Sequence, residues 1–256
     1  MNTDSMTVKY HHETGTHNLE SPGIIVPYLV EKLKPRSVVD VGCGIGTFLN
    51  VFQQQGVSEI LGIDGKWVER KQLMIGQDHF LEADLEKPIR LDRTFDLVLC
   101  LEVAEHLSPA AADTIVGSLT SLGKIIVFSA ATRQQGGQNH INEQEFSYWR
   151  KKFEAKGYSV MDCLRPYFWN MSRVQWWYKQ NMFLILHHSI DELPFELSGN
   201  RFSENNLLIH PDLYYERMQE YEKQAADLRR FGAGEGGNFN LYLKLLYRSF
   251  KKSFRK

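Results

Sequence analysis

The sequence predicts an α/β fold: a doubly wound, mostly parallel sheet with helices on its two faces. Three observations carry that expectation. Short apolar runs recur at strand length, among them Val38-Val39-Asp40-Val41, Ile60-Leu61-Gly62-Ile63 and Phe95-Asp96-Leu97-Val98-Leu99-Cys100, and strands buried on both faces read in this way. The first of them runs through Gly42, Gly44 and Gly46 into the helix-like stretch 47–52, a strand-turn-helix unit. Acids stand beyond the next two, Asp64 after Ile63 and Asp84 after the strand-like Phe80-Leu81-Glu82, which puts both carboxylates on one edge of a parallel sheet.

The turn after the first strand is suited to a nucleoside cofactor. Glycine lacks the β-carbon that would obstruct a sharp bend or the close approach of backbone N–H groups to a ligand. Asp64 lies at the spacing expected of a carboxylate that accepts hydrogen bonds from both ribose hydroxyls, and Asp84 is placed to accept one from an adenine amino group. Asp40 either touches the ligand or holds the loop amides. Cys43, Gly65, Leu85 and Leu101 adjoin these positions and join the candidate cofactor contacts.

The fourth run leads into Leu101-Glu102-Val103-Ala104-Glu105-His106-Leu107. Taken in order, four features resemble a class I S-adenosylmethionine-dependent methyltransferase: Asp-x-Gly-x-Gly-x-Gly from Asp40, the acid Asp64, Ala83-Asp84-Leu85, and Glu-x-x-Glu-His-Leu from Glu102. The resemblance implies a Rossmann-like sheet of seven strands, S-adenosylmethionine as cofactor, and Glu102 among its contacts. Residues 124–129 then read as strand five, 144–157 as a helix closed by Gly157, and 158–164 as strand six. Residues 181–187 would be strand seven, which that family inserts antiparallel between strands five and six. A dehydrogenase fits less well, since the loop is Gly-x-Gly-x-Gly and no second substrate domain is legible. The expected organisation is an N-terminal arm over 1–22, a methyltransferase domain over 23–190, a helical extension over 191–230, and a glycine-rich hinge with a basic tail over 231–256.

A chain of 256 residues, 43% hydrophobic, can bury one large core. A formal net charge of −1 gives no overall attraction to polyanions, so nucleic acid is not the expected partner. The start, Met1-Asn2-Thr3-Asp4-Ser5, is polar, and no apolar run nears the roughly 20 residues needed to cross a bilayer. Cys43, Cys100 and Cys163 are odd in number and lack Cys-x-x-Cys spacing, which argues against a disulfide framework or a thiolate zinc site. The expected location is the cytoplasm.

Three further stretches carry a finer resemblance. After strand five come Ser129-Ala130-Ala131-Thr132 and Gln135-Gly136-Gly137-Gln138-Asn139-His140-Ile141-Asn142-Glu143-Gln144. Before the first strand stand His17-Asn18, Ser21-Pro22 and Ile25-Val26-Pro27, and strand seven follows Trp176-Trp177-Tyr178-Lys179-Gln180-Asn181. Together they are similar to a bacterial methyltransferase subfamily associated with glycan and cell-surface polysaccharide biosynthesis. The resemblance folds the arm with His17 and Asn18 over the cofactor, a flexible leader being the alternative. Aromatic residues crowd the crossover, Tyr167-Phe168-Trp169 and then 176–178. Flat rings stack on sugar faces or cover a pocket, and packing of a loop is the plainer alternative.

Methyl transfer from a sulfonium is an in-line displacement, so the acceptor must be aligned and its proton removed. A sugar hydroxyl needs a base or a metal for this. In one route His140 is the general base, since an imidazole titrates near the working pH. In the other, Glu102, Glu105 and His106 share one face of a helical turn and His140 adds a fourth ligand, a set suited to magnesium, manganese, iron(II) or zinc. That set resembles the metal site of small-RNA 3′-terminal 2′-O-methyltransferases. In other relatives the Glu-His-Leu is structural, with the histidine packed beneath the cofactor and the first glutamate holding the loop. Asn142 and Glu143 are expected to cap a helix starting near Gln144.

Beyond the domain, 211–230 reads as a charged amphipathic helix with a solvated face, and Gly232-Ala233-Gly234-Glu235-Gly236-Gly237 as a hinge. In 241–256, Leu243, Leu246, Tyr247, Phe250 and Phe254 share one side of a helix, while Lys244, Arg248, Lys251, Lys252 and Arg255 line another with no acid present. That suits peripheral contact with the inner face of an anionic membrane, with docking on this protein or a partner subunit as the alternative. The expected function is O-methylation of a small or lipid-linked sugar acceptor. The alternatives are metal-dependent methylation of a terminal RNA ribose and a non-catalytic cofactor-binding scaffold. No oligomeric state is read from the sequence.

Overall fold

A computed structural model describes residues 18–190 and 208–232. The chain divides into two compact units, Met1–Leu213 and Tyr214–Lys256. In the first, β1 (Ser37–Val41), β2 (Glu59–Asp64), β3 (Phe80–Glu82), β4 (Leu97–Leu101), β5 (Ile125–Ser129), β6 (Tyr158–Met161) and β7 (Phe183–His187) make one sheet, ordered β3-β2-β1-β4-β5-β7-β6. β7 runs antiparallel to both of its neighbours, and the other pairings are parallel. This is the doubly wound, seven-stranded arrangement that the sequence predicts.

The helices are α1 (Pro22–Leu33), α2 (Thr47–Gln54), α3 (Ala112–Leu122), α4 (Phe146–Glu154), α5 (Leu164–Phe168), α6 (Trp176–Asn181) and α7 (Pro211–Gly232). Successive side chains of a strand point to opposite faces, and that alternation sorts the core into two layers. Leu97, Leu99 and Leu101 of β4 join Leu29 of α1 and Phe48 and Phe52 of α2. Val98 and Cys100 join Ile115 and Leu119 of α3 and Trp149 and Phe153 of α4. Both faces of the sheet are therefore dry, which is why its strands read as continuous apolar runs.

The boundaries differ in places from expectation. Strand six stops at Met161 because α5 opens at Leu164, and strand seven starts at Phe183 because 176–181 are helical. α4 begins at Phe146, two residues later than Gln144, and Gly157 at φ 84° stops the chain beyond it. α1 and α3 go beyond the sequence expectation. Pro27 inside α1 hides the first; the second carries a legible period in Ile115, Val116, Leu119 and Leu122.

Among the described residues no helix is long and apolar enough to cross a membrane. His17 with the rest of 1–17, the glycine run beyond Gly232, and the basic face of 241–256 lie outside the described residues. Gly232 itself is the last described residue of α7.

Candidate active site

The parallel strands end along one edge of the sheet, and the candidate residues collect there. Gly42, Gly44 and Gly46 sit at φ 84°, 54° and 84°, the left-handed region that strains a residue bearing a β-carbon. Space is closed too: a β-carbon on Gly42 would lie 2.3 Å from a Val103 methyl, and one on Gly46 3.1 Å from Ile75. The loop is tied to β2. The Gly42 N–H donates to the Ile63 carbonyl at 2.7 Å, and the Gly44 N–H to Asp64 Oδ2 at 2.7 Å. Asp64 Oδ1 accepts the Gly65 N–H at 2.6 Å. Of the two roles open to Asp40, holding the loop amides thus falls to Asp64, because the end of β2 faces the Gly44 amide.

Asp40 and Asp64 are 3% and 5% exposed. Burial, with the charge of Asp64 beside it, raises Asp40 to about 7. Burial also raises Asp64, to about 6, against the lowering effect of the Gly44 and Gly65 amides and the Trp67 indole. Two buried carboxylates beside a glycine loop favour a positively charged ligand. Trp67 is the residue that sequence reasoning missed. Its ring lies over Gly65, where a β-carbon would come within 2.2 Å of it, and it walls the Asp64 end of the crevice; the only signal was an aromatic three residues after the acid.

The remaining cofactor candidates divide by burial. Asp84 is exposed beyond the edge strand β3, where it pairs with Lys87 at 3.1 Å and accepts the Glu86 N–H at 3.1 Å. The Lys87 hydrogen bond holds its carboxyl below the ordinary value. The side chain of Leu85 belongs to the core with Ile63 and Val103, while Leu101 closes β4 in the opposite layer. The Cys43 thiol is buried 3.5 Å from the Gly44 carbonyl, and burial pushes it well up.

Glu102 follows β4 at φ 55°, a left-handed conformation that costs a residue with a side chain about 1–3 kcal/mol. Its N–H donates to the carbonyl and the hydroxyl of Ser129, both at 3.0 Å. The bend hands its carboxylate to Asn181, whose Nδ2 donates at 3.2 and 3.4 Å, and to Gln135 Nε2 at 3.3 Å. The single 3₁₀ turn Ala104–His106 then drops Glu105 into the interior. Glu105 is 0% exposed, and neither carboxylate oxygen has a partner at hydrogen-bonding geometry. Burial, then the neighbouring Glu102 carboxylate, raise it well above the ordinary value, offset only in part by its own amide and that of Ala131. Burial also lowers His106, to about 4, with help from His140.

The loop after β5 folds back onto this turn. The Ile141 and Asn142 N–H groups both donate to the Glu105 carbonyl, at 2.9 and 3.0 Å, and Asn142 Nδ2 donates to the Ala104 carbonyl at 3.4 Å. The rings of His140 and His106 meet edge to face, 4.9 Å between centroids. His140 Nδ1 lies 3.0 Å from Glu143 Oε1, and Glu143 also accepts the N–H groups of Gly136 at 2.6 Å and Gln134 at 2.9 Å. Burial works to raise Glu143, but these hydrogen bonds outweigh it and leave the carboxyl below its ordinary value. A carboxylate on Nδ1 places the ring proton there and leaves Nε2 basic. Neither Asn142 nor Glu143 is therefore a helix cap; Glu145 takes that position, without a side-chain cap bond.

Glu105, His106 and His140 bring one ligand atom each within 4.8 Å of one another. Glu102 stands outside that group, because its left-handed turn commits its carboxylate to Asn181 and Gln135. Three of the four expected metal ligands converge, then, and the helical face expected for 102–106 is not formed.

A family model described as a methyltransferase domain matches residues 24–188, from α1 to the end of the sheet. The chain belongs to this methyltransferase family. No curated protein matches the sequence. Among solved structures, Streptomyces venezuelae DesVI is 13% identical over 66% of this chain and 91% of its own, with a TM-score of 0.51. The methyltransferase domain of bacterial CtHen1-C is 18% identical over 66% of this chain and 99% of its own, at 0.50. Magnesium protoporphyrin IX methyltransferase from Synechocystis PCC 6803, solved with SAH, is 18% identical over 66% and 83%, at 0.46. For the first two, at these identities, the likeness is one of fold.

The methyltransferase is of class I and uses S-adenosylmethionine. Its crevice fits that cofactor, whose sulfonium and ammonium are cationic, since the glycine loop lies beside the buried carboxylates of Asp40 and Asp64. His140 is positioned with equal care: Gly137 lies beneath its ring at φ 149°, and a β-carbon there would come within 2.4 Å of the imidazole. Gly137→Ala is expected to displace the ring and lower kcat about 100-fold, with S-adenosylmethionine affinity unchanged by calorimetry.

Proposed function

We propose that this methyltransferase methylates a hydroxyl of a sugar or glycan intermediate, with His140 as general base. The observation that carries this reading is the Glu143–His140 pair at 3.0 Å, which leaves Nε2 basic to take a hydroxyl proton. S-adenosylmethionine, when bound, supplies an electrophilic methyl group. Asp40 stands beside the loop of Gly42, Gly44 and Gly46 to hold its charged portion, Asp64 at the end of β2 is the carboxylate for the ribose hydroxyls, and Glu102 fixes the wall between that loop and the acceptor side.

Support for a sugar comes from the finer sequence resemblance and from two rings. Trp176 and Trp177 are half-buried and meet edge to face at 5.5 Å. Trp177 lies one turn before Asn181 on α6, so it shares the side of the helix that reaches Glu102. The other crossover rings serve packing: Tyr178 meets Phe48 at 5.6 Å, Tyr167 stacks on Tyr28 at 3.9 Å, and Trp169 lies 4.6 Å from His210. A lipid-linked acceptor would be presented at a membrane, where the bases of 241–256 supply complementary charge. The test is mass spectrometry of host surface glycans with and without the protein, seeking a mass gain of one methylene. Identical glycans in both would sink the sugar assignment.

One observation favours a second reading of the same centre. A fully buried carboxylate with no partner at good hydrogen-bonding geometry, only its own amide, that of Ala131 and the Glu102 carboxyl close by, beside two imidazoles within 4.8 Å, suits a divalent cation as well as a proton. Held by Glu105, His106 and His140, such an ion would supply a Lewis acid for the acceptor oxygen, and His140 would be its ligand. A terminal RNA ribose then becomes an acceptor to weigh, though a net charge of −1 gives RNA no electrostatic hold. Chelation separates the readings. With a base, turnover survives exhaustive removal of divalent ions; with a cation, it falls to background and returns when magnesium or manganese is restored.

A further inference from the structure

We propose that α7 is the seam of a parallel homodimer. On α7, Tyr214, Met218, Tyr221, Ala225 and Leu228 recur at alternating spacings of four and three, the rhythm of the a and d positions of a coiled coil. All five are exposed, Tyr214 at 56%, Met218 at 39%, Tyr221 at 49% and Leu228 at 56%. The stripe is narrow. Tyr215, Arg217, Glu222, Gln224 and Arg229 flank it, the exposed Tyr215 widening only its first turn, and Glu216, Gln219, Glu220, Lys223, Asp227 and Arg230 cover the far side, so beyond that turn it fits a second helix and not a broad apolar surface.

Charge selects a copy of the same helix. With Met218 and Ala225 at a, and Tyr221 and Leu228 at d, Arg217 falls at g and Glu222 at the following e. In a parallel pair these two positions face each other across the seam, so Arg217 of each copy, which pairs with Glu220 of its own helix in the single chain, meets Glu222 of the other. Two-fold symmetry makes the attraction twice over, and the next such pair, Gln224 with Arg229, adds no repulsion. An anionic membrane is a poor occupant, because Asp212, Glu216, Glu220, Glu222 and Asp227 are interspersed with the bases. The chain's own residues 241–256 carry only bases, so they would answer Glu222 and leave Arg217 and Arg229 beside the stripe opposed, whereas a second copy answers both signs.

Two heptads bury little area, so the dimer is weak, with a dissociation constant of about 10–100 μM. Sedimentation velocity of the full chain from about 5 to 300 μM should show monomer passing into dimer. Arg217→Glu alone and Glu222→Arg alone should each weaken association by about tenfold or more, and the double exchange should restore it. Circular dichroism and S-adenosylmethionine affinity should be the same in all four proteins. A wild type that stays monomeric throughout, a dimer indifferent to the single reversals, or a double exchange that restores nothing would each overturn the proposal.

Discussion

His140→Ala is expected to lower kcat by about 10²–10⁴-fold while leaving S-adenosylmethionine affinity unchanged. The argument rests on where the ring is held. Glu143 sits 3.0 Å from Nδ1 and is itself fixed by the amides of Gly136 and Gln134, so the imidazole has one orientation and one basic nitrogen. Its neighbours are poor substitutes: Glu105 is wholly buried with its carboxyl raised well above the ordinary value, Glu102 is engaged by Asn181 and Gln135, and burial lowers His106 to about 4. Glu143→Gln should give a smaller loss, since a carboxamide keeps a hydrogen bond to Nδ1 without dictating which nitrogen carries the proton. Single-turnover rates with calorimetry in parallel make the measurement. Wild-type turnover in the alanine variant would remove the base and favour a scaffold that binds cofactor without using it.

Asp40→Asn is expected to act in two opposite directions, stabilising the free protein above neutral pH and weakening its hold on S-adenosylmethionine. The folded-state value of about 7 stands above the ordinary 3.8, so the folded chain keeps a proton that the unfolded chain has released. The stabilising contribution is therefore complete below pH 3.8 and is lost as pH rises through about 7. Its full size is on the order of 4 kcal/mol at one pKa unit per 1.36 kcal/mol. Asp64, raised to about 6 by burial, adds a loss of the same sign over a lower window. Melting curves of the variant should lack the Asp40 part of this decline. A bound cation favours ionised Asp40, so wild-type affinity should climb as pH passes upward through 7. The variant should bind about 30-fold more weakly, or about 2 kcal/mol, at pH 8. Unaltered affinity at every pH would show that Asp40 does not face the cofactor.

The sheet and its glycine loop were legible in the sequence for a physical reason. Strands covered on both faces leave unbroken apolar runs, and three left-handed turns leave three glycines. The acid-histidine centre was legible only in its membership. Spacing from Glu102 to His106 suggests a common face, but that inference assumes a regular helix, and a left-handed residue followed by a 3₁₀ turn sends Glu102 toward Asn181 and Glu105 inward. Glu143 resembles a helix cap when only neighbours in the chain are considered. Its true partners, His140 and the Gly136 and Gln134 amides, lie within a loop that bends back on itself, and no periodicity records such a bend. Trp67 is silent for the same reason, since its ring acts through contact with Gly65 and Asp64 and not through any repeat.

The torsion at Glu102 places two demands that no one amino acid meets. Glycine would relax the backbone and relieve the crowding of two interior acids, yet it would strip Asn181 and Gln135 of their anchor. The strain relieved and the buried hydrogen-bond partners lost are each worth about 1–3 kcal/mol, so the two effects oppose each other at one position. The site thus marks where an easy backbone and an anchoring side chain compete within a single residue.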